Sequence, residues 1–171
     1  MTTHRRFTRL AIAFVLSAGA NGGAFAEDDA CKRIADAMAK QAVTPYHQYV
    51  TATATDKGGK SRESESINTV ATHYLKVDGK WSARPYDGKK NAADILERMS
   101  SDKPTCSRVG EEVVDGQATT LYRAHNPGML DNQIWISAST GLPLRQVADT
   151  GLSHMVMRND YTDVQPPANA Q

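Results

Sequence analysis

Residues 132–147, NQIWISASTGLPLRQV, have the pattern of two short strands joined by a turn. Apolar and polar residues alternate on both sides of the segment Ala138-Ser139-Thr140-Gly141, as in half-buried antiparallel strands. A type I turn followed by a left-handed glycine makes a three-residue loop with a bulge. We therefore predict a β-hairpin whose register is set by Gly141.

The register of this hairpin separates two faces. A three-residue loop predicts the pairs Ala138–Leu142, Ile136–Leu144, Ile134–Gln146, Trp135–Arg145 and Ser137–Pro143. One face is then aliphatic and must be covered by the interior of the protein; it consists of Ile134, Ile136, Leu142 and Leu144. On the other face the guanidinium of Arg145 can lie over the indole of Trp135, worth about 0.5–1 kcal/mol at an exposed site. We expect this pair to anchor the outer face of the hairpin.

The rest of the chain predicts two helices and further strands. Residues 28–42 have apolar residues at helical spacing, and so do residues 91–101, with Asn91 as the expected cap. Period-two patterns predict strands at 46–55, 60–68, 70–77, 80–86, 107–114, 117–125, 132–137, 142–148 and 152–161. The Asp-Gly pair at 78–79 predicts a type I′ hairpin, and the pair at 115–116 predicts a turn. The sequence thus predicts an α+β fold with a mostly antiparallel sheet of roughly seven to nine strands.

The first 26 residues have the features of a leader peptide. Arg5, Arg6 and Arg9 precede an apolar run that is shorter than the ~20 residues needed to span a bilayer. Residues 24–26, Ala-Phe-Ala, predict cleavage after Ala26 and export to the periplasm. We expect residues 27–163 to form a single domain and residues 164–171 to be a disordered tail.

Charge and cysteine content limit the class of protein. Three of the 20 basic side chains and none of the 19 acids leave with the leader, so the mature part has a net charge of −2. This charge argues against a nucleic-acid partner. Cys31 and Cys106 would both enter an oxidising compartment, and there we expect them to form a disulfide. The alternative, a nucleophilic cysteine, needs a partnering base that the sequence does not indicate.

The C-terminal half resembles a known family. The segments VDGQATTLYR, QIWISASTGLPLRQV and DYTDVQPP, within residues 113–167, are similar to those of the LolA/LolB-like exported proteins. The resemblance implies a strongly curved sheet, an incomplete barrel, with two helices on its concave face. Members of that group hold acyl chains or lipoproteins in the cavity. With 6% aromatic residues, a mean hydropathy of −0.51 and a very polar segment at 60–68, this chain departs from the carrier composition.

The remaining motifs do not indicate a catalytic or metal-binding site. In the segment HMVM, Met155 and Met157 could bind Cu(I) with His154, but on a strand the histidine points to the opposite face. His47, His73 and His125 are scattered, and no serine lies in a Gly-x-Ser-x-Gly motif. We therefore expect no catalytic residue, no metal site and no cofactor.

These observations predict a non-catalytic periplasmic binding protein. Its ligand would be a lipid or a lipoprotein acyl chain, held between the sheet and the helices. The expected ligand contacts are aliphatic: Ile95, Leu96, Met99, Ile134, Ile136, Leu142 and Leu144. The alternative is an envelope module with a filled core, whose partner is another envelope protein. Neither function requires stable insertion into the membrane.

Overall fold

The computed structural model describes residues 27–56, 58–125 and 131–168. The predicted leader, residues 1–26, and the last three residues of the predicted tail lie outside the described residues. Within them the elements are α1 (Glu27–Ala42), β1 (Tyr46–Ala54), β2 (Ser61–Asn68), β3 (Thr72–Val77), β4 (Lys80–Pro85), α2 (Gly88–Asp102), β5 (Thr105–Val114), β6 (Gln117–His125), β7 (Asp131–Ser137), β8 (Pro143–Asp149) and β9 (Ser153–Asp160).

The nine strands of the described residues form a single sheet in the order β4-β3-β2-β1-β9-β8-β7-β6-β5. Each neighbouring pair is antiparallel. The sheet is curved and does not close, so β4 and β5 are its edges. Helix α2 connects these two edges along the chain. The α+β fold with a curved antiparallel sheet is therefore confirmed.

Two of the tight turns have the expected geometry. Asp78 and Gly79 have φ angles of 49° and 78°, and Asp115 and Gly116 also have 49° and 78°. Two consecutive positive φ angles define the type I′ turn, whose twist matches that of the flanking strands. The type I′ hairpin predicted at 78–79 is confirmed, and the turn predicted at 115–116 has the same geometry.

The loop between β7 and β8 is one residue longer than predicted. Gly141 has the expected positive φ of 68°, but Ser137 donates to the carbonyl of Leu142 and accepts from the N–H of Gly141. Ile136 consequently pairs with Pro143, and a bulge at Leu144 restores the expected register. The pairs Ile134–Gln146 and Trp135–Arg145 are confirmed. The pairs Ala138–Leu142, Ile136–Leu144 and Ser137–Pro143 were wrong.

The sheet buries apolar residues on both of its faces. On the face that we call the helix face, Ile134 and Ile136 pack with Ala30, Ile34 and Ala37 of α1. On the opposite face, the far face, a second cluster contains Val114, Leu121, Trp135, Leu144 and Val147. Strand alternation explains the separation, since Trp135 lies between the two isoleucines along β7. The bulge moves Leu144 to the far-face cluster, so its predicted place on the aliphatic inner face was wrong.

Helix α1 lies close to the sheet because it presents small residues. Ala30 and Ala37 are 2% and 4% exposed, and Cys31 is joined to Cys106 of β5. The two Cα atoms are 5.1 Å apart and 75 residues apart in sequence, so the predicted disulfide is confirmed. A loop of this length stabilises a fold by roughly 4–5 kcal/mol in the chain-entropy model. The disulfide fixes α1 to the edge of the sheet.

Helix α2 begins earlier than the sequence indicated. Its cap is Asp87, whose carboxylate accepts from the N–H of Lys90 at 2.9 Å. Asn91, the expected cap, instead donates to the hydroxyl of Tyr86. Gly88, which precedes the predicted start of the helix, is the first helical residue. A Cβ at Gly88 would lie 2.5 Å from the carbonyl oxygen of Ala42, so glycine permits α2 to start against the end of α1.

Candidate functional site

Helix α2 rests on α1, and Met99 is the residue of its apolar stripe that packs against the helix-face core. Gly88 is its one buried residue, while Ile95 and Met99 are half-buried and Leu96 is 45% exposed. The stripe formed by Ile95, Leu96 and Met99 is the part of an amphipathic helix that normally faces a core. A helix with its side chains is ~10 Å across, so α1 holds α2 away from the sheet. A gap therefore remains beneath α2.

This gap is a cleft of about 260 Å³, which we call the helix–sheet cleft. Its walls come from α1, α2, the segment leaving α2, and strands β6 to β8. The lining residues are Ile34, Met38, Ile95, Arg98, Met99, Asp102, Pro104, Ala124, Asn132, Ile134 and Gln146. The hydrocarbon groups come from both helices and the sheet, while Arg98 and Asp102 are exposed on α2. The cleft is thus mainly apolar, with the amides of Asn132 and Gln146 on its sheet side and charged groups on α2.

The size of the helix–sheet cleft limits what it can hold. About 260 Å³ corresponds to roughly nine groups of ~30 Å³, the volume of a water molecule and close to that of a methylene. Pockets for drug-sized ligands usually span ~300–1,000 Å³. The cleft is therefore large enough for part of an acyl chain.

The structure brings together some of the predicted contact residues. Ile95, Met99 and Ile134 line the helix–sheet cleft. Ile136 and Leu142 are 8% and 7% exposed, but neither lines the cleft. Ile136 borders a separate depression of about 400 Å³ beside Lys40 of α1. Leu96 also lies outside the lining, because it is one residue beyond the inward-facing part of α2.

Four apolar lining residues were missed among the predicted contacts: Ile34, Met38, Pro104 and Ala124. Ile34 and Met38 lie one helical turn apart on the apolar stripe of α1, and this spacing could have indicated them. Ala124 offered no sequence signal, because a small residue near the end of a strand is common in any sheet. Met155 and Met157 lie on the helix face, whereas His154 points to the far face and contacts Asp149 at 2.7 Å.

The Trp135–Arg145 pair exists, and it covers a core. The guanidinium carbon of Arg145 is 4.9 Å from the ring centroid, and Trp135 is 5% exposed. The indole N–H donates to the carboxylate of Glu112 at 2.7 Å. The two charged side chains therefore cover the tryptophan, which lies in the far-face cluster. The expected pairing is confirmed, and the indole is buried although its side of the hairpin carries no helix.

The far face also carries a polar groove of about 610 Å³ over β9, β1, β2 and the β3–β4 turn. Three of its lining residues, Tyr49, Glu65 and Lys76, belong to a chain of side-chain hydrogen bonds that also includes His47. His47 Nε2 contacts one carboxylate oxygen of Glu65 at 2.7 Å, and Lys76 Nζ contacts the other at 2.7 Å. Because a carboxylate accepts, His47 Nε2 donates to Glu65, and His47 Nδ1 is 3.2 Å from the hydroxyl of Tyr49. Lys76 also lies 5.4 Å from the ring centroid of Trp81.

The contacts of Glu65 change its acidity. Burial acts to raise its pKa, but the hydrogen bonds from Lys76 and His47 together outweigh burial and leave the pKa below the ordinary value of 4.5. His73 shifts in the direction expected for a buried base: burial lowers its pKa and the charge of Arg84 lowers it further. Within the described residues, no histidine is hydrogen-bonded to a serine, threonine or cysteine side chain.

The described residues contain no group of three or more His, Cys, Asp and Glu side chains that could hold a metal ion. Neither of their helices is long and apolar enough to cross a membrane. No family model matches the sequence. No curated protein matches it either.

Solved structures do match the fold. The lipoprotein LppX of Mycobacterium tuberculosis matches with a TM-score of 0.54 and 15% identity, over 85% of this chain and 100% of LppX. MucB in complex with MucA matches at 0.48 and 18% identity, over 83% of this chain and 60% of MucB. A LolA superfamily protein from Nitrosomonas europaea matches at 0.32 and 7% identity, over 80% of this chain and 92% of that protein. The LppX match shows a shared fold. The incomplete barrel with two helices, which the C-terminal motifs implied, agrees with the unclosed curved sheet of the described residues.

Proposed function

We propose that this chain is a non-catalytic binding protein of the bacterial envelope that holds an acyl chain of a lipid or lipoprotein in the helix–sheet cleft. The observation that carries the proposal is that Ile95 and Met99, two residues of the apolar stripe of α2, line an open cleft where a filled core would be expected. Leaving apolar surface exposed is unfavourable by about 25 cal/mol per Å². A ligand that covers Ile95 and Met99 would remove this cost.

The energetics fit an acyl chain of modest length. At ~0.8 kcal/mol per buried methylene, the roughly nine groups that fill the cleft would contribute about 7 kcal/mol before ordering costs are subtracted. Arg98 is exposed at the rim and carries a charge suited to a carboxylate or phosphate headgroup. The amphipathic character of such a ligand matches a mainly apolar cleft with charged groups on α2.

The disulfide supports the expected location. Disulfides form and persist in oxidising compartments such as the periplasm, and Cys31–Cys106 joins α1 to the sheet. We propose that the chain is exported and that its leader is cleaved after Ala26. Mass spectrometry of the protein recovered from periplasmic extract would test both points, since a mass starting at Glu27 is expected and a full-length mass contradicts the proposal.

Binding of a fluorescent fatty-acid analogue to two neighbouring variants tests the ligand hypothesis. Ile95→Lys puts a charge into the helix–sheet cleft, whereas Leu96→Lys puts the same charge on the adjacent exposed position. We expect Ile95→Lys to weaken binding at least tenfold, which corresponds to losing the burial of about two methylenes. Leu96→Lys should bind like the wild type. Equal binding by both variants, or no binding by the wild type, contradicts the proposal.

The second candidate is an envelope protein-interaction module without a small-molecule ligand. The observation that favours it is the volume of the helix–sheet cleft, which lies just below the usual range for ligand pockets. Native mass spectrometry of protein purified from its own periplasm separates the two functions. A co-purifying lipid supports the acyl-chain function, and a clean apo mass together with no binding of the fatty-acid analogue supports the interaction module.

A further inference from the structure

The polar groove of the far face has an exposed aromatic side chain in its lining. Tyr49 lies on β1, which is paired with a strand on each side, and yet the residue is 44% exposed. Tyrosine combines an apolar ring with a hydroxyl group, and for this reason it is enriched at interfaces. The groove thus offers one apolar surface among its polar groups.

The ring of Tyr49 is held in place on one side and open on the other. It stacks on the ring of His47, with centroids 4.3 Å apart and planes inclined by 27°. The Tyr49 hydroxyl is 3.2 Å from Nδ1 of His47, and Nε2 of the same histidine contacts Glu65. Strand alternation puts Thr51 on the far face at the other side of the ring, and Thr51 lines the groove whereas His47 does not. The free face of the ring is therefore turned towards the groove.

Donor and acceptor groups stand beside this ring on the neighbouring strands. One cross-strand row, from β3 to β9, consists of Lys76, Glu65, Tyr49 and Arg158. The next row contains Thr51 and Glu63, and Asp78 of the β3–β4 turn lines the groove beyond them. Side chains directly opposite each other in a sheet are ~5 Å apart. An aromatic face, carboxylate acceptors, a hydroxyl group and cationic donors are thus within reach of one small ligand.

The charges around the groove do not favour an ionic ligand of either sign. The acids of the lining are Glu63, Glu65, Asp78 and Asp160, and its basic residues are Lys76 and Arg158. Lys60 and Arg62, close to Glu63 along the chain, add two further positive charges. An anion would meet the carboxylates and a cation would meet the basic groups, so both would be partly repelled. A neutral ligand that donates and accepts hydrogen bonds fits these surroundings.

The size of the groove and the chemistry of its lining match a sugar. Its volume of about 610 Å³ lies within the ~300–1,000 Å³ that is usual for small-molecule sites. It corresponds to roughly twenty groups of ~30 Å³, the size of a disaccharide. The flat face of a pyranose ring with equatorial hydroxyls consists of C–H groups, which pack favourably on the electron-rich face of an aromatic ring. The hydroxyls around the edge of the sugar both donate and accept.

We propose that the polar groove binds a neutral oligosaccharide of pyranose rings with equatorial hydroxyls, one ring of which stacks on Tyr49. The sugar hydroxyls donate to the carboxylates of Glu63 and Asp78 and accept from Lys76 and Arg158. The groove is on the far face and the helix–sheet cleft is on the helix face, so the two sites lie on opposite sides of the sheet. The proposal is therefore independent of ligand binding in the helix–sheet cleft.

Titration of the unaltered, isotope-labelled protein with named sugars tests the class of ligand by amide chemical shifts. The probes are cellotriose and tri-N-acetylchitotriose, and the control is sorbitol, which has the hydroxyl groups but no ring. We expect either trisaccharide to shift the amides of Tyr49, Thr51 and Glu63, with an affinity that does not fall as salt is raised. Sorbitol should shift none of them. If neither trisaccharide shifts these amides, or if sorbitol shifts them equally, the proposal is wrong.

Variants of the protein test the location. Tyr49→Ala removes the ring and should weaken trisaccharide binding by about three- to tenfold, whereas Tyr49→Phe keeps the ring and should weaken it less. Glu63→Gln should weaken binding by about two- to fivefold, because an amide accepts less strongly than a carboxylate. Glu97→Gln, the same exchange at an exposed acid on α2, should bind like the wild type.

The fatty-acid analogue separates this proposal from the acyl-chain function. Tyr49→Ala should bind the analogue like the wild type, because Tyr49 does not line the helix–sheet cleft. A loss of trisaccharide binding without a loss of analogue binding therefore supports the sugar site, whether or not the cleft holds an acyl chain. Wild-type affinity of Tyr49→Ala for the trisaccharides, or equal affinities of Glu63→Gln and Glu97→Gln, would overturn the proposal.

Discussion

Replacing Gly88 by alanine should destabilise the protein, because this position holds the two helices together. An alanine Cβ would lie 2.5 Å from the carbonyl oxygen of Ala42 and 3.4 Å from that of Val70. Ordinary contact begins near 3.4 Å, so α2 must move by about 0.9 Å relative to the end of α1. Both neighbouring atoms belong to the backbone and cannot rotate away as a side chain would. The movement would also weaken the bond from the N–H of Gly88 to the Val70 carbonyl.

The expected cost is that of overpacking, about 1–3 kcal/mol. For a domain of this size, 1 kcal/mol changes the melting temperature by about 2–4 °C, so Gly88→Ala should melt about 2–12 °C below the wild type by circular dichroism. The control is Gly110→Ala in β5, where a Cβ meets no atom within 4 Å and the expected change is below about 0.5 kcal/mol. If Gly88→Ala is as stable as Gly110→Ala, the close approach of the helices that underlies the helix–sheet cleft is refuted.

Three further predictions concern the disulfide, the groove and the hairpin. The double variant Cys31→Ser with Cys106→Ser should lose up to roughly 4–5 kcal/mol in urea unfolding; an unchanged midpoint would mean that the cross-link does not constrain the unfolded chain. The lowered pKa of Glu65 means that its stabilising contribution is complete above its ordinary value of 4.5 and is lost as the pH falls through its lower folded value. Glu65→Gln should therefore flatten the acid part of the stability–pH curve, and an identical curve would contradict the ion-pair geometry. Leu144→Ala should cost about 2–5 kcal/mol, since Leu144 is 6% exposed in the far-face cluster, whereas Leu96→Ala at 45% exposure should cost much less; equal losses in thermal melts would show that the bulge is misplaced.

The β7–β8 hairpin shows which structural features local sequence patterns predict and which they do not. Alternation predicted both strands, and Gly141 predicted the left-handed residue of the turn. Loop length was underestimated by one residue, because a left-handed glycine can end a loop of three or of four residues. The bulge at Leu144 accommodates the extra residue, so Trp135 still pairs with Arg145. A bulge has no distinct composition, so the place of Leu144 could not be predicted from the chain.

The candidate site was predicted in part for a similar reason. The stripe Ile95, Leu96 and Met99 was evident from helical spacing, as was the aliphatic side of β7. Whether such a stripe meets a core or a cleft depends on the position of the whole helix. That position is set by the small residues of α1, by the contact of Gly88 with Ala42 and by the disulfide. The polar groove was not predicted, since it arises where β3 ends short of β2 and brings Asp78 beside Glu63.

The sequence by itself determined the elements, the tight turns, the disulfide and the antiparallel class of the sheet, because each depends on neighbours along the chain or on the pairing of two cysteines. Only the tertiary structure decided the strand order, the burial of both faces of the sheet and the cleft beneath α2. These features depend on distances between elements that are far apart in sequence, and such distances follow from packing small residues against one another. The hydrophobic period and the residue propensities show which side of a helix or strand is apolar. They do not give the distance between that side and the element that it faces.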